Sequence, residues 1–351
     1  MASGAAAGIA AAVLRWQRRH GRRGLPWQDT RDPYRVWLSE IMLQQTQVAT
    51  VLDYFPRFLQ RFPDVHSLAR AELDEVLALW SGLGYYSRAR NMHRCAVEIV
   101  TRHGGPFPET AAALVGLPGI GRSTAAAIAA FCFGERVAIL DGNVRRVLTR
   151  VLGFSGDLAQ AANGRALWDL ATSLLPRRAL ADTMPRYTQG LMDIGAGICT
   201  PRAPRCTDCP LRKTCVAFRE GEPERYPCST RKLRRGAESL WLLQASGLDG
   251  AVWLEKRPAR GIWAGLYCLP AFDSREALLG QLQGTLPAGS RPRLHEPAPS
   301  VHPLTHKDLL LHPVRVRLEA ALPGRAGAWF AADAWPALGL PAPIRKLLAS
   351  G

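Results

Sequence analysis

The chain has 351 residues, 47% of them hydrophobic, enough to bury a substantial core and, at usual domain sizes, to form two domains. Lysine and arginine number 45 against 29 acidic residues, a formal charge of +16, which argues against a cationic target and for a polyanion whose counterions are released on binding. No apolar run of about eighteen residues is present, so a helical membrane span is excluded.

The opening MASGAAAGIAAAVLRW carries no acid before Asp29 and is followed by Arg18, Arg19, Arg22 and Arg23, so it imitates a transit peptide. Ile9, Ala12, Val13 and Trp16 nevertheless keep helical spacing and run unbroken into Leu25-Pro26-Trp27, which predicts a helix of the folded, cytoplasmic protein. Further helices are predicted over 35–60, 72–80, 87–103, 123–133, 143–152, 163–175 and 184–195, separated by Gly and Pro signals.

Glu40 falls on the 35–60 segment with Trp37 at i−3 and Leu43 at i+3. Apolar neighbours on one face raise a carboxyl pKa, and a Glu protonated near neutrality can serve as a general acid and then as a base toward water; a solvated surface carboxylate is the plain alternative. Gln44, Gln45, Tyr85 and Tyr86 are candidate binding residues, although two tyrosines after Gly82-Leu83-Gly84 serve equally as packing. In LPGIGRSTAAAI (117–128), Gly119 and Gly121 permit positive φ and close approach ahead of a helix starting near Ser123 or Thr124. Free amides there suit a phosphate, and a simple cap reads as well. Asp141 follows the apolar run 137–140 and precedes a helix, as an N-cap does.

Of eight cysteines, four are scattered and four crowd into 199–215, a pattern of ligand cluster plus free thiols in a reducing compartment. Cys199, Cys206, Cys209 and Cys215 are spaced C-x6-C-x2-C-x5-C, which allows one iron–sulfur or zinc centre, although zinc sites usually pair two short knuckles. Arg202, Arg205, Arg212 and Lys213 make the same loop basic. Residues 220–237 mix Pro, Gly and charge without periodicity and mark a linker. Beyond it, 239–246, 251–257, 265–270, 309–320 and 326–333 read as strands and 274–282 and 343–350 as helices, with a Pro-rich stretch at 287–299.

LPGIGRSTAAAI, the cysteine spacing and Asp141-Gly142-Asn143-Val144 together resemble the helix–hairpin–helix glycosylase superfamily that includes endonuclease III. LPW at 25–27, SEIMLQQTQV at 39–48, GLGYYSRARN at 82–91 and the C-terminal extension resemble its MutY type, the adenine DNA glycosylases, so the likeness spans nearly the whole chain. It implies a mainly α N-terminal helix–hairpin–helix glycosylase domain over 1–222 with an iron–sulfur loop at 199–215, a linker at 223–237, and a smaller α/β Nudix-like domain over 238–351. It implies Glu40 as the acid that protonates adenine, Asp141 facing the sugar cation, Asn143 helping to position water, and one [4Fe-4S] cluster on Cys199, Cys206, Cys209 and Cys215. The implied partner is double-stranded DNA bearing adenine opposite 8-oxoguanine or guanine, bound by a monomer.

The same resemblance makes Gln45 and Tyr85 intrahelical probes beside Gln44 and Tyr86, and gives the hairpin at Gly119, Gly121 and Ser123 to the DNA backbone. Arg22, Trp27 and Gln189 match positions lining the adenine pocket, while each reads equally as core or surface. Leu304-Thr305-His306 resembles the loop that checks for 8-oxoguanine, often Phe-Ser-His; Thr305 and His306 keep hydrogen-bonding groups, and Leu304 gives up the aromatic ring. Arg275-Glu276 lacks the further paired glutamates of a Nudix metal site, so this domain is expected to bind rather than hydrolyse.

Strand-nicking glycosylases commonly use a lysine amine to form a Schiff base with the sugar. The five lysines are Lys213, Lys232, Lys256, Lys307 and Lys346, so the first 212 residues have none, and Ser123 stands where related bifunctional enzymes carry a lysine. A monofunctional enzyme is expected. A glycosylase for thymine or oxidised pyrimidines and a non-catalytic mismatch-binding protein are the alternatives.

Overall fold

The computed structural model describes residues 3–230, 235–285 and 292–350. The linker's residues 231–234, with Lys232, and residues 287–291 of the Pro-rich stretch lie outside them. The chain forms two compact units, one from residues 1–69 and 94–232 and the other from 70–93 and 233–351. The expected split at 222 to 238 is thus interrupted, because a segment from within the first part packs with the second.

In chain order the helices are α1 (Ser3–His20), α2 (Pro33–Leu43), α3 (Val48–Arg61), α4 (Val65–Arg70), α5 (Leu73–Leu79), α6 (Ser87–His103) and α7 (Ala111–Leu114). They continue as α8 (Arg122–Phe133), α9 (Gly142–Leu152), α10 (Ala161–Ser173), α11 (Leu180–Gly197) and α12 (Val216–Arg219). Asp32 caps α2, its Oδ1 accepting from the Tyr34 amide at 3.0 Å ahead of Pro33 at the first position. The alanine run 125–127 and 129–130 with Ile128 is wholly buried, and these small side chains let α8 sit centrally against α2, α7 and α11.

α1 lies along α11, and Val13 is fully buried in the resulting core. A Cβ at Gly190 of α11 would meet Val13 Cγ1 at 2.8 Å, so the bare backbone permits this crossing. The single helix expected over 35–60 is broken into α2 and α3 by a turn at 44–47, where Gln45 takes φ +55. No Gly or Pro marks that break, and the apolar pattern runs across it.

In the second unit the strands are β1 (Gly236–Ser246), β2 (Val252–Lys256), β3 (Tyr267–Cys268), β4 (Ala271–Phe272), β5 (Ser300–Pro303), β6 (Lys307–Arg317) and β7 (Gly327–Phe330). They form one mixed sheet of order β3-β2-β1-β6-β5, with β4 on β1 and β7 on β2. β1 and β6 are parallel from Gly236↔Lys307 to Ser246↔Arg317, and the other pairs are antiparallel. α13 (Arg275–Gln283) seals one face, burying Leu278 and Leu282 against Leu243, Trp253 and Val314, and α14 (Ala342–Ala349) follows near the C-terminus. The two-residue β4 and the edge strand β5, whose register ends at Pro303, have too little apolar alternation to be predicted. Among the described residues no helix is long and apolar enough to cross a membrane.

Candidate active site

A cavity of about 1540 Å³ opens within the first unit. Glu40 reaches its wall from α2, and Asp141 from the N-terminus of α9. Sequence spacing left open whether these two carboxylates converge; the fold brings them to one cavity. Burial, reinforced by the negative charge of Asp141, pushes the Glu40 carboxyl up to about 8. Asp141 is raised as well by burial, but the Val144 and Asn143 amides and the Arg146 and Arg145 charges oppose that rise. Its Oδ1 accepts from the Val144 amide at 2.7 Å, so the expected N-cap is present. The two groups therefore stand in unequal surroundings: burial raises both, but only at Asp141 do backbone amides and arginine charges hold the rise back.

Asn143 is the second residue of α9, its Oδ1 accepting from Arg146 Nη2 at 2.8 Å. Arg146 also donates from Nη2 to Gly195 O at 2.6 Å and from Nε to Cys199 O at 2.6 Å, joining α9 to the end of α11 and the cysteine loop. Gly195 is close-packed here, since a Cβ would stand 2.7 Å from Asn143 Cβ and 3.0 Å from Asn143 O.

Arg22, Trp27 and Gln189 all line the same cavity. Trp27 is nearly buried and meets Phe55 edge to face at 5.3 Å. Between Arg22 and Gln189 sits Asp193, only 4% exposed, which sequence reading missed. Its Oδ1 accepts from Gln189 Nε2 at 2.9 Å, its Oδ2 accepts from the Arg22 amide at 3.0 Å, and the Arg22 guanidinium lies 3.6 Å away. A Gln at i and an Asp at i+4 on α11 was the available signal.

Gln44 and Gln45 lie in the turn between α2 and α3 at the cavity wall, where Gln44 Nε2 donates to Thr124 Oγ1 at 3.2 Å and Gln45 is exposed. At the hairpin, Gly119 has φ +76, but Gly121 has φ −82 as the N-cap of α8, so only one glycine uses positive φ. The helix begins at Arg122, one residue earlier than expected, and Ser123 Oγ lines the cavity and accepts from the Leu140 amide at 3.4 Å. Arg122 lies 3.9 Å over the Trp168 ring, which pins the start of α8.

Tyr85 and Tyr86 belong to the second unit and differ sharply. Tyr85, at φ +49, is 43% exposed, and its hydroxyl lies 2.8 Å from Thr305 Oγ1. Tyr86 was expected beside it at the DNA surface but is buried, donating to Leu340 O at 3.0 Å, so it packs the unit's interior. Leu304, Thr305 and His306 form the turn of the β5–β6 hairpin, closed by the Leu304 amide donating to Lys307 O at 2.8 Å; Thr305 and His306 are exposed.

The four clustered cysteines all carry free, half-buried thiols beyond the end of α11. Cys199, Cys209 and Cys215 pack on the main core, and Cys206, Cys209 and Cys215 each feel the charge of Cys199. The fully buried Arg150 donates from Nη1 to Cys199 Sγ at 3.4 Å and to Thr200 O at 2.7 Å, and from Nη2 to Pro201 O at 3.0 Å. A buried cation donating to Cys199 Sγ, within a loop that carries three further half-buried thiols, fits a donor set that binds as thiolates.

A family model described as "HhH-GPD superfamily base excision DNA repair protein" matches residues 38–170, and one described as "NUDIX domain" matches 241–350. The adenine DNA glycosylase of Buchnera aphidicola subsp. Acyrthosiphon pisum is 37% identical over 341 residues, covering 96% of this chain and 95% of that protein. The chain belongs to the adenine DNA glycosylase family. The human adenine DNA glycosylase is 34% identical over 86% of this chain and 66% of its own length. Among solved structures, a thermostable thymine-DNA glycosylase covers 62% of this chain and 98% of its own at 28% identity and a TM-score of 0.54. A trapped endonuclease III–DNA covalent intermediate, at 20% identity and a TM-score of 0.50, shares the fold. Membership makes the protein a DNA N-glycosylase, a hydrolase of the glycosidic bond in base excision repair, with DNA as its partner. The match over nearly both full lengths decides for adenine against the pyrimidine alternative.

Proposed function

We propose that the protein excises adenine mispaired with 8-oxoguanine or guanine from double-stranded DNA as a monofunctional enzyme, with Glu40 and Asp141 as its catalytic pair. The observation that carries this reading is the convergence of the two carboxyls on one cavity, with Glu40 pushed up to about 8. Glu40 is then protonated at neutral pH and donates to a ring nitrogen of the extruded adenine. The C1′–N9 bond breaks with its electron pair leaving on the base. The Asp141 carboxylate faces the sugar cation so formed, Asn143 positions a water, and Glu40, now ionised, accepts the water's proton as the C1′–O bond forms. Arg22, Trp27 and Gln189 line the base pocket, Gln44 and Gln45 meet the duplex at its mouth, and the Gly119 to Ser123 hairpin takes the backbone.

Cys199, Cys206, Cys209 and Cys215 would hold one [4Fe-4S] cluster. The support is the donor chemistry: four free, half-buried thiols in one loop, with buried Arg150 donating to Cys199 Sγ. Bound there, the cluster supplies a cross-link for a loop whose Arg202, Arg205, Arg212 and Lys213 present charge to phosphate. The catalytic part spans 1–222 and the Nudix-like recognition part 238–351, joined through 223–237. Exposed Thr305, His306 and Tyr85 inspect the base opposite adenine, and the enzyme works as a monomer on chromosomal DNA in the cytoplasm.

Single-turnover assays on duplexes with adenine opposite 8-oxoguanine or guanine test this reading. Strand breaks should appear only after alkali, faster with 8-oxoguanine, and His306→Ala should narrow that preference. Efficient borohydride trapping would overturn the monofunctional reading, and equal rates on both duplexes would overturn the lesion-checking role of Thr305 and His306. A second variant tests the support of the site. Gly195→Ala drives a methyl into Asn143 and should slow base release about tenfold or more while the protein remains folded; an unchanged rate would remove Asn143's placement from the account.

A further inference from the structure

We propose that Asp193 is a specificity-determining positioning residue, fixing the side-chain amide of Gln189 so that its carbonyl oxygen meets the exocyclic amino group of the bound base. This rests on the reading of the cavity as the adenine pocket. An amide's oxygen and nitrogen differ little in shape, so which of them faces a ligand is decided by hydrogen-bonding partners. Asp193 leaves no choice. A carboxylate only accepts, and its two oxygens take the Gln189 Nε2 donor at 2.9 Å and the Arg22 amide at 3.0 Å, with the Arg22 guanidinium 3.6 Å away. Gln189 must therefore turn its NH2 group to Asp193. Its Oε1 makes no hydrogen bond among the described residues, and the side chain lines the cavity.

The consequence is chemical selection. An acceptor at that place pairs with the 6-amino group of adenine and opposes the 6-oxo group of guanine or hypoxanthine, where two oxygens would meet without a proton between them. The geometry is maintained from two sides. Asp193 is four residues after Gln189 on α11, and Arg22 follows the end of α1, which crosses α11 at Gly190 within reach of Val13. Asp193 thus reads the base through Gln189 without touching it.

Asp193→Asn tests this with little change of shape. An asparagine at 193 offers an NH2 group to Gln189 Oε1, so the Gln189 amide turns over and presents its own NH2 group to the cavity. The experiment compares single-turnover excision of adenine and of hypoxanthine, each opposite 8-oxoguanine, by wild type, Asp193→Asn and Gln189→Leu. Both variants should reduce the adenine-to-hypoxanthine ratio by at least about tenfold relative to wild type. General damage to the fold would slow both bases together and leave the ratio where it was. In the Gln189→Leu background, adding Asp193→Asn should not change the ratio further.

A wild-type ratio in either folded single variant overturns the proposal. Should Asp193→Asn fail to fold, Asp193→Ser, which removes the carboxylate that holds the Gln189 amide, takes its place with the same fall in ratio expected. Wild-type protein that releases no adenine at all would instead overturn the reading of the site on which the proposal stands, so the two failures are distinguishable.

Discussion

Glu40→Gln should lower single-turnover adenine release on the order of 10³-fold, the scale expected when a positioned proton donor is removed. Glutamine keeps the size of the side chain and most of its packing on α2, but it has no proton to give to the purine and no basic oxygen for the water. The same substitution should change stability in the opposite sense. Glu40 is raised to about 8 in the folded protein by burial and by Asp141, against 4.5 for an ordinary glutamate. The folded state therefore holds a proton that the unfolded state has lost over this window, and stability falls as pH rises from about 4.5 to about 8. A neutral glutamine is free of that loss, so Glu40→Gln should melt above wild type at alkaline pH and lose the advantage near pH 4. Thermal melts of both proteins across that range check it. A variant that is inactive and also less stable at alkaline pH would point to damaged packing, not to a missing acid.

Asp141→Asn should slow base release by about 10² to 10³-fold, the scale of losing one group that stabilises transition-state charge. The choice of asparagine separates two roles of this residue. Asp141 Oδ1 caps α9 through the Val144 amide at 2.7 Å, and asparagine caps a helix about as well, so the fold is retained while the charge opposite the sugar is removed. The variant carries a second signature. With the negative charge gone, the second cause of the Glu40 shift disappears while burial remains, so the alkaline limb of residual activity should move to lower pH without reaching that of an ordinary glutamate. Substrate binding should change far less than the chemical step. A variant whose loss lies wholly in DNA affinity would assign Asp141 to binding instead.

Several of these features were legible in the residues, and the reasons the others were not are physical. The cysteine spacing, the LPGIG hairpin and the Asp141 cap are local signals, each needing only neighbours in sequence; the cap is present as read, and at the hairpin Gly119 takes positive φ while Gly121 has an ordinary −82. The turn at 44–47 was invisible because Gln-Gln-Thr-Gln carries no turn residue and the apolar spacing of α2 continues into α3; Gln45 adopts φ +55 without a glycine to announce it. Asp193 was missed because its partner Arg22 is 171 residues away, and only the α1–α11 crossing at Gly190 brings them together. The pairing of Tyr85 with Thr305, 220 residues apart, escaped for the same reason, as did the packing of residues 70–93 with the C-terminal sheet. Tyr86 shows the limit of composition. Two adjacent tyrosines read alike, yet one is exposed and the other gives its hydroxyl to a buried carbonyl.

The most direct test of the carboxyl pair is the pH dependence of single-turnover adenine release by the wild-type protein from a duplex with adenine opposite 8-oxoguanine. An acid held at about 8 predicts a rate sustained through neutrality that declines as pH rises past about 8, with Glu40→Gln lacking this limb. A decline that begins near pH 4.5, as for a solvated glutamate, or a rate indifferent to pH across that range, would contradict the assignment of Glu40 as the proton donor.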